Sequence, residues 1–224
     1  MSIHLQRDIE RLKQQILELS IEVEDDVRMA VRAVEERDEL AANRVVARED
    51  KINMMEVDIE DHCLKILALH QPVAADLRYI IAVLKINHDL ERIGDLAVHI
   101  AERAMFLCGK PPIGIPVRIG EMAEKAKMML KNVLDAFVNH NSAAAHDVCS
   151  ADKEIDQINR EIFEQVKGAV MKNPEKFETL LQVMHIARHV ERIADHATNI
   201  AEDLIYLIEG RIVRHTTEVS DKNP

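Results

Sequence analysis

Apolar residues recur at alternating steps of four and three along two stretches of the chain. The first reads Ile86, Leu90, Ile93, Ala97, Ile100, Ala104 and Leu107; the second reads Ile186, Val190, Ile193, Ala197, Ile200, Leu204 and Leu207. A mean spacing of about 3.5 residues lays one apolar stripe along a helix and turns it toward the other helices of a bundle. Inside these stretches lie Glu91-Arg92-Ile93-Gly94-Asp95 and Glu191-Arg192-Ile193-Ala194-Asp195, 100 residues apart. Twelve-residue windows opening at Glu91 and Glu191 share eight identical positions.

Two further helical runs fill each half. Residues 4 to about 36 place Leu12, Ile16, Leu19, Val23, Val27, Ala30 and Val34 on one face. Asp38 is suited to N-cap a second run, which Glu39 opens and which carries Ala41, Ala42, Val45, Ile52, Met55, Ile59, Ile66 and Leu69. Gln71-Pro72 breaks that run, and proline at the first helical position starts a third, ending near Leu107. Cys108 to Pro116 then gathers three of the six prolines, the best boundary in the chain.

Beyond the boundary the pattern begins again. Ile119, Met122, Ala126, Leu130, Val133 and Phe137 match Ile16, Leu19, Val23, Val27, Ala30 and Val34 at an offset of 103, and Asn141 stands where Asp38 stood. Asn173-Pro174 answers Gln71-Pro72 at an offset of 102. The chain therefore reads as all-α, two tandem three-helix bundles related by a pseudo-twofold internal repeat. Its divisions are a first repeat over 1–110, a second over 111–215 and a polar tail, 216–224, expected to be disordered. Gly210 is expected to end the last helix. Helices of roughly 30 residues would each be about 45 Å long at 1.5 Å per residue.

Composition fits helices and narrows the partners. Hydrophobic residues are 47 % of the chain, enough for a sizeable core, while aromatics are 3 % and Trp is absent. The net charge of −11 argues against nucleic acid, whose phosphates need clustered basic residues, and favours cations or a basic protein surface. Cys63, Cys108 and Cys149 are odd in number and widely spaced, which suits reduced thiols in a cytoplasmic protein. No uncharged stretch approaches the ~20 apolar residues that span a bilayer. Residues 1–20 also lack the apolar segment of a signal peptide, so contact with a membrane would run through partners or be peripheral.

The carboxylates are the candidate chemistry. Glu91 lies one residue off the apolar seam and Asp95 and Glu102 two residues off it, on one strip at the edge of the core. Like charges at i, i+4 repel by roughly 0.2–0.5 kcal/mol, and this chain writes that repulsion twice. A second pair, Asp152 and Asp156, maps onto Glu49 and Asn53 at an offset of 103. If neighbouring antiparallel helices bring these strips together, four to six oxygens suit a hard cation such as Mg²⁺, Mn²⁺, Ca²⁺ or iron, singly or as a bridged cluster. The alternative is ordinary solvated carboxylates paired with Arg92, Arg192 or Lys153.

Other signals are weaker. His185-x-x-x-His189 lacks the Glu of the metalloprotease pattern and reads as a surface pair, its first-half counterparts being Lys85 and Asp89. No His has Glu three residues before it, as di-iron bundles require. No Ser, Cys or Thr stands in a recognisable nucleophile setting, so the reading is non-enzymatic. His88-Asp89-Leu90-Glu91-Arg92 resembles the phosphorylatable box of sensor kinases, without a Gly-rich nucleotide segment after it. That leaves a histidine phosphotransfer protein using His88 as the alternative function.

Several motifs in order resemble the PhoU family of phosphate-transport regulators. They are Asn53-Met54-Met55-Glu56, Gln71-Pro72-Val73-Ala74-Ala75-Asp76-Leu77-Arg78, the two Glu-Arg-Ile-x-Asp segments, and the closing Gly210-Arg211-Ile212-Val213-Arg214-His215. The similarity spans residues 5 to 215, nearly the whole chain. It implies two three-helix bundles whose acidic motifs bind a divalent metal or metal cluster, Mg, Mn, Fe, Zn or Ca. By position the ligands would be Glu91, Asp95, Glu191, Asp195, Asp152 and Asp156, with Glu49 in place of the family's usual Asp. Asn53 breaks the acidic pattern in the first half, and Ala194 replaces Gly94 in the second. The resemblance further implies a cytoplasmic negative regulator of phosphate uptake and the phosphate-starvation response. Such a protein links the ATPase of the phosphate ABC transporter to a phosphate-sensing histidine kinase, as a homodimer.

Overall fold

The computed structural model describes residues 3–111 and 118–213. Among the described residues there are seven α-helices, one short 3-10 turn and no strand. The helices are α1 (Ile3–Glu36), α2 (Glu39–Val46), α3 (Glu49–His70), α4 (Ala74–Cys108), α5 (Ile119–Asn139), α6 (Ser142–Lys172) and α7 (Phe177–Glu209), with the 3-10 turn over Pro174–Lys176. Most of the proline-rich boundary and all of the tail from 216 onward lie outside the described residues. No described helix is long and apolar enough to cross a membrane.

The helix starts and stops follow local chemistry. Asp38 caps α2 by accepting the Ala41 N–H at 3.0 Å, and Asn141 caps α6 by accepting the Ala144 N–H at 3.1 Å. Each cap satisfies one of the four amides that a helix start leaves without a partner. Gly210 closes α7 in the left-handed region, φ 70°, with its N–H on Tyr206 O at 2.9 Å. A residue without a Cβ adopts that conformation freely.

Two expectations need correction. The second run is not continuous: it breaks at Ala47 and Arg48 into α2 and α3. Arg48 is held by α1, with Nη2 2.7 Å from Glu22 Oε2 and Nε 2.8 Å from Asp26 Oδ1. Its N–H accordingly bonds Val45 O in a tightened turn. The counterpart of Arg48 in the second half is Ala151, which has no such anchor, and α6 runs unbroken. Pro72 does not open α4 either. It is buried, Val73 is the extended N-cap residue, and α4 begins at Ala74.

α1, α2 and α3 pack on α4 in the first half, and α5 and α6 pack on α7 in the second. α4 and α7 also lie against each other at the centre. Lys85 meets Asp203, Asp89 meets Asn199 and His99 meets His189, so the two helices run antiparallel. Their seams, from Ile86 to Leu107 and from Ile186 to Leu204, are buried along the contact. The acidic residues beside each seam are thereby placed where α3 flanks α4 and α6 flanks α7.

Candidate functional site

In the second half, packing of α6 on α7 brings all four expected carboxylates within range of one another. Burial, and then Asp156, Asp195 and Glu191 in that order, push the Asp152 carboxyl up to about 6. Each neighbour adds negative potential in a place where water is scarce, so the neutral form is favoured. The Asp195 residue is exposed, yet its carboxyl is also raised, by loss of water first and then by Glu191 and Asp156. Arg188 and His196 act against that shift, and Arg188 is ion-paired with Glu191. Among the described residues Arg192 and Lys153, the partners expected of ordinary solvated carboxylates, form no ion pair here.

The first half differs. Arg92 reaches back to both acids, with Nε 3.3 Å from Glu91 Oε2 and Nη1 3.3 Å from Asp95 Oδ2. That is the ion-paired alternative with an expected partner; in the second half Glu191 is paired with Arg188 instead. The Nε contact is not aligned for a hydrogen bond, so buried Glu91 Oε2 has no hydrogen-bond partner among the described residues. Burial and then Asp95 raise the Glu91 carboxyl, Arg92 and His88 oppose the shift, and Glu56 of α3 adds to it.

Glu56 is the residue that sequence reasoning missed. It stood in the quoted motif Asn53-Met54-Met55-Glu56, seven residues and two turns beyond Glu49, so helical spacing was the available signal. Burial and then Glu60 raise its own carboxyl, and Asn87 of α4 donates to its carbonyl oxygen at 2.9 Å. Glu49 lies half-buried in the first turn of α3, just past the break, and Asn53 is half-buried one turn on. The groups acting most strongly on Glu91 do not include Glu49. Gly94 admits α3 here: a Cβ at that position would sit 3.2 Å from Ile52 Cγ2.

Among the described residues no three His, Cys, Asp or Glu groups already converge as a cation shell. The second-half carboxylates share a neighbourhood rather than a common focus. His88 is exposed beside a cavity of about 540 Å³ that Lys85, Asp89, Glu202 and Asp203 also line. The pair His185 and His189 is not simply on the surface. His185 is exposed, but His189 is half-buried and stacked on His99 of α4, with ring centroids 5.3 Å apart.

The model of the PhoU domain matches twice, over residues 16–104 and 119–204. The chain is 35 % identical over 207 residues to the phosphate-specific transport system accessory protein PhoU homolog of Clostridium acetobutylicum, covering 92 % of this chain and 94 % of that one. It is 36 % identical over 209 residues to the homolog of the same description from Aquifex aeolicus, covering 93 % and 95 %. The crystal structure of PhoU from Pseudomonas aeruginosa superimposes with a TM-score of 0.89 at 36 % identity, covering 92 % of this chain and 99 % of that one. The phosphate transport system regulatory protein PhoU from Streptococcus pneumoniae gives a TM-score of 0.86 at 30 % identity, covering 93 % and 99 %.

Proposed function

Because the chain belongs to the PhoU family, we propose that it is a cytoplasmic negative regulator of phosphate uptake and of the phosphate-starvation response. Its relatives' shared description, accessory protein of the phosphate-specific transport system, supports a role in phosphate transport. In this reading it has no catalytic step. It bridges the ATPase of the phosphate ABC transporter and the sensor histidine kinase, and a cation on its carboxylates shapes the surface it offers.

The observation that carries the cation is the second-half crowding. Asp152 and Asp195 are each acted on by Asp156 and Glu191, and Arg188 is ion-paired with Glu191. Oxygen-only donors fit a hard divalent ion, with water completing its shell. Such an ion would supply positive charge that offsets the mutual repulsion. Because the groups do not already share a focus, binding would draw α6 and α7 into one preferred side-chain arrangement, which is how a bound ion selects a conformation. The first half is the weaker site, since Arg92 already neutralises Glu91 and Asp95.

A protein partner also has a surface to use. On its outer face α3 exposes Met54 (63 %), Val57 (59 %) and Leu64 (53 %), where the counterparts on α6 are Gln157, Arg160 and Lys167. An apolar stripe rimmed by charge is typical of a docking surface. The test is calorimetric titration of the full chain with the transporter ATPase, with and without chelator, for wild type and Asp152→Asn/Asp156→Asn. Wild type should bind differently in the two conditions and the double variant alike in both. Equal wild-type binding with and without chelator would remove the cation from the mechanism.

A further inference from the structure

The pseudo-twofold that relates α4 to α7 shifts residues by 100, so each α4–α7 contact has a mate elsewhere on the same seam. On one side the mates are balanced. Lys85 Nζ lies 3.2 Å from Asp203 Oδ1, and Asp89 Oδ1 takes His196 Nδ1 at 2.7 Å and Asn199 Nδ2 at 3.3 Å. Carried across the axis, Lys85 with Asp203 becomes His185 with Arg103, and Asp89 with Asn199 becomes His189 with His99. Every acid of the first set is replaced by a base.

Among the described residues the resulting cluster has no ion-paired counter-charge. His189 lies between His99 and His185, at centroid distances of 5.3 and 6.5 Å. The groups acting most strongly on His189, apart from its burial, are His99, Arg103, His185 and Arg192, all basic. Among the described residues, both ring nitrogens of His189 and Nε of Arg103 are buried without a hydrogen-bond partner. Among the described residues no carboxylate forms an ion pair with Arg103, His99, His185 or His189, although exposed Glu102 precedes Arg103 in sequence and Glu191 is taken by Arg188. In a chain of net charge −11, four adjacent bases without an acid are not an average surface.

Buried donors are normally paired, so unpaired ones ask for an absent partner. The imidazoles are stacked, so their in-plane nitrogens do not face one another across a common point, which speaks against a metal here. A guanidinium with imidazole N–H groups around it suits a tetrahedral oxyanion. We propose that His99, Arg103, His185 and His189 form a binding site for free inorganic phosphate on the α4–α7 seam. The naming of phosphate among oxyanions rests on the function proposed above; the cluster itself rests on the geometry.

The test uses the full chain in chelator, so that no cation on the carboxylates can carry the anion. Histidine ring signals are followed by NMR during titration with sodium phosphate at ionic strength held constant with sodium chloride, and affinity is measured by equilibrium dialysis of labelled phosphate. His99, His185 and His189 should shift saturably, sulfate should compete, and Arg103→Gln should weaken binding by about tenfold or more while the thermal unfolding curve stays cooperative. Lys85→Gln, on the balanced side, should leave phosphate affinity unchanged. No saturable shift, equal shifts with chloride alone, or wild-type affinity in Arg103→Gln would each overturn the site. Because chelator is present throughout, failure here leaves the cation-linked reading standing, and failure of that reading leaves this result intact.

Discussion

Replacing Asp152 with Asn removes one charge from the place where four carboxylates crowd, and in chelator the folded chain should gain stability from the loss. The Asp152 carboxyl is raised from 3.8 to about 6. A shift of roughly two pKa units corresponds to an upper bound of roughly 3 kcal/mol against the ionised form. Half-burial and solvent screening reduce this to about 1–2 kcal/mol. For a chain of this size each kcal/mol moves the melting temperature by roughly 2–4 °C, so an upward shift of several degrees is expected. That sign is unusual, since most substitutions destabilise. With Mn²⁺ the order should reverse. A ligand bound only by the folded state adds ~2.7 kcal/mol at a hundredfold excess over its dissociation constant, and the variant forfeits part of that. The assay is thermal unfolding followed by circular dichroism at pH 8, in chelator and in Mn²⁺. An Asp152→Asn protein less stable than wild type in chelator, or equal shifts with Mn²⁺ in both, would refute the reasoning.

Arg48→Met should cost roughly 3–5 kcal/mol at pH 8, because it strips the guanidinium from fully buried Asp26. Burial already pushes the Asp26 carboxyl up to about 6 despite Arg48, so the folded state takes up a proton that the unfolded state, at 3.8, releases. Stability from this group therefore rises as pH falls from about 6 toward 3.8, and denaturant unfolding at pH 5 should show a smaller Arg48→Met penalty than at pH 8. Val57→Glu, on the exposed stripe of α3, should change unfolding by no more than about 0.5 kcal/mol yet weaken capture of the transporter ATPase in a pull-down. Unaltered capture would move the docking surface off α3.

The parts of the fold legible in the sequence were those that depend on near neighbours. Asp38 and Asn141 cap because a short side-chain acceptor reaches an amide three residues on, and Gly210 stops α7 because of its own backbone freedom. The seams of α4 and α7 are buried as their spacing implied, except that Leu207 at the end of the second is only partly buried. The break at Arg48 was hidden because its cause is on α1, at Glu22 and Asp26, more than twenty residues away. In the candidate site, repetition pointed to Glu191 and Asp195 and i, i+4 spacing to Asp152 and Asp156, and helix packing sets the four near one another. Glu56 was missed because the repeat offset pairs it with Asn159, so the second half gave no hint of an acid there. His189 could not be read as half-buried, since its neighbour His99 lies 90 residues back, on a helix whose register against α7 only the tertiary fold sets.

The most direct test of the central claim is a calorimetric titration of Mn²⁺ into the chelator-stripped full chain, run beside Asp152→Asn/Asp156→Asn. The account predicts saturable binding by the wild type, a rise in melting temperature over the same concentration range, and loss of both in the double variant while its helical content is kept. Wild-type heats no larger than those of the double variant would contradict it.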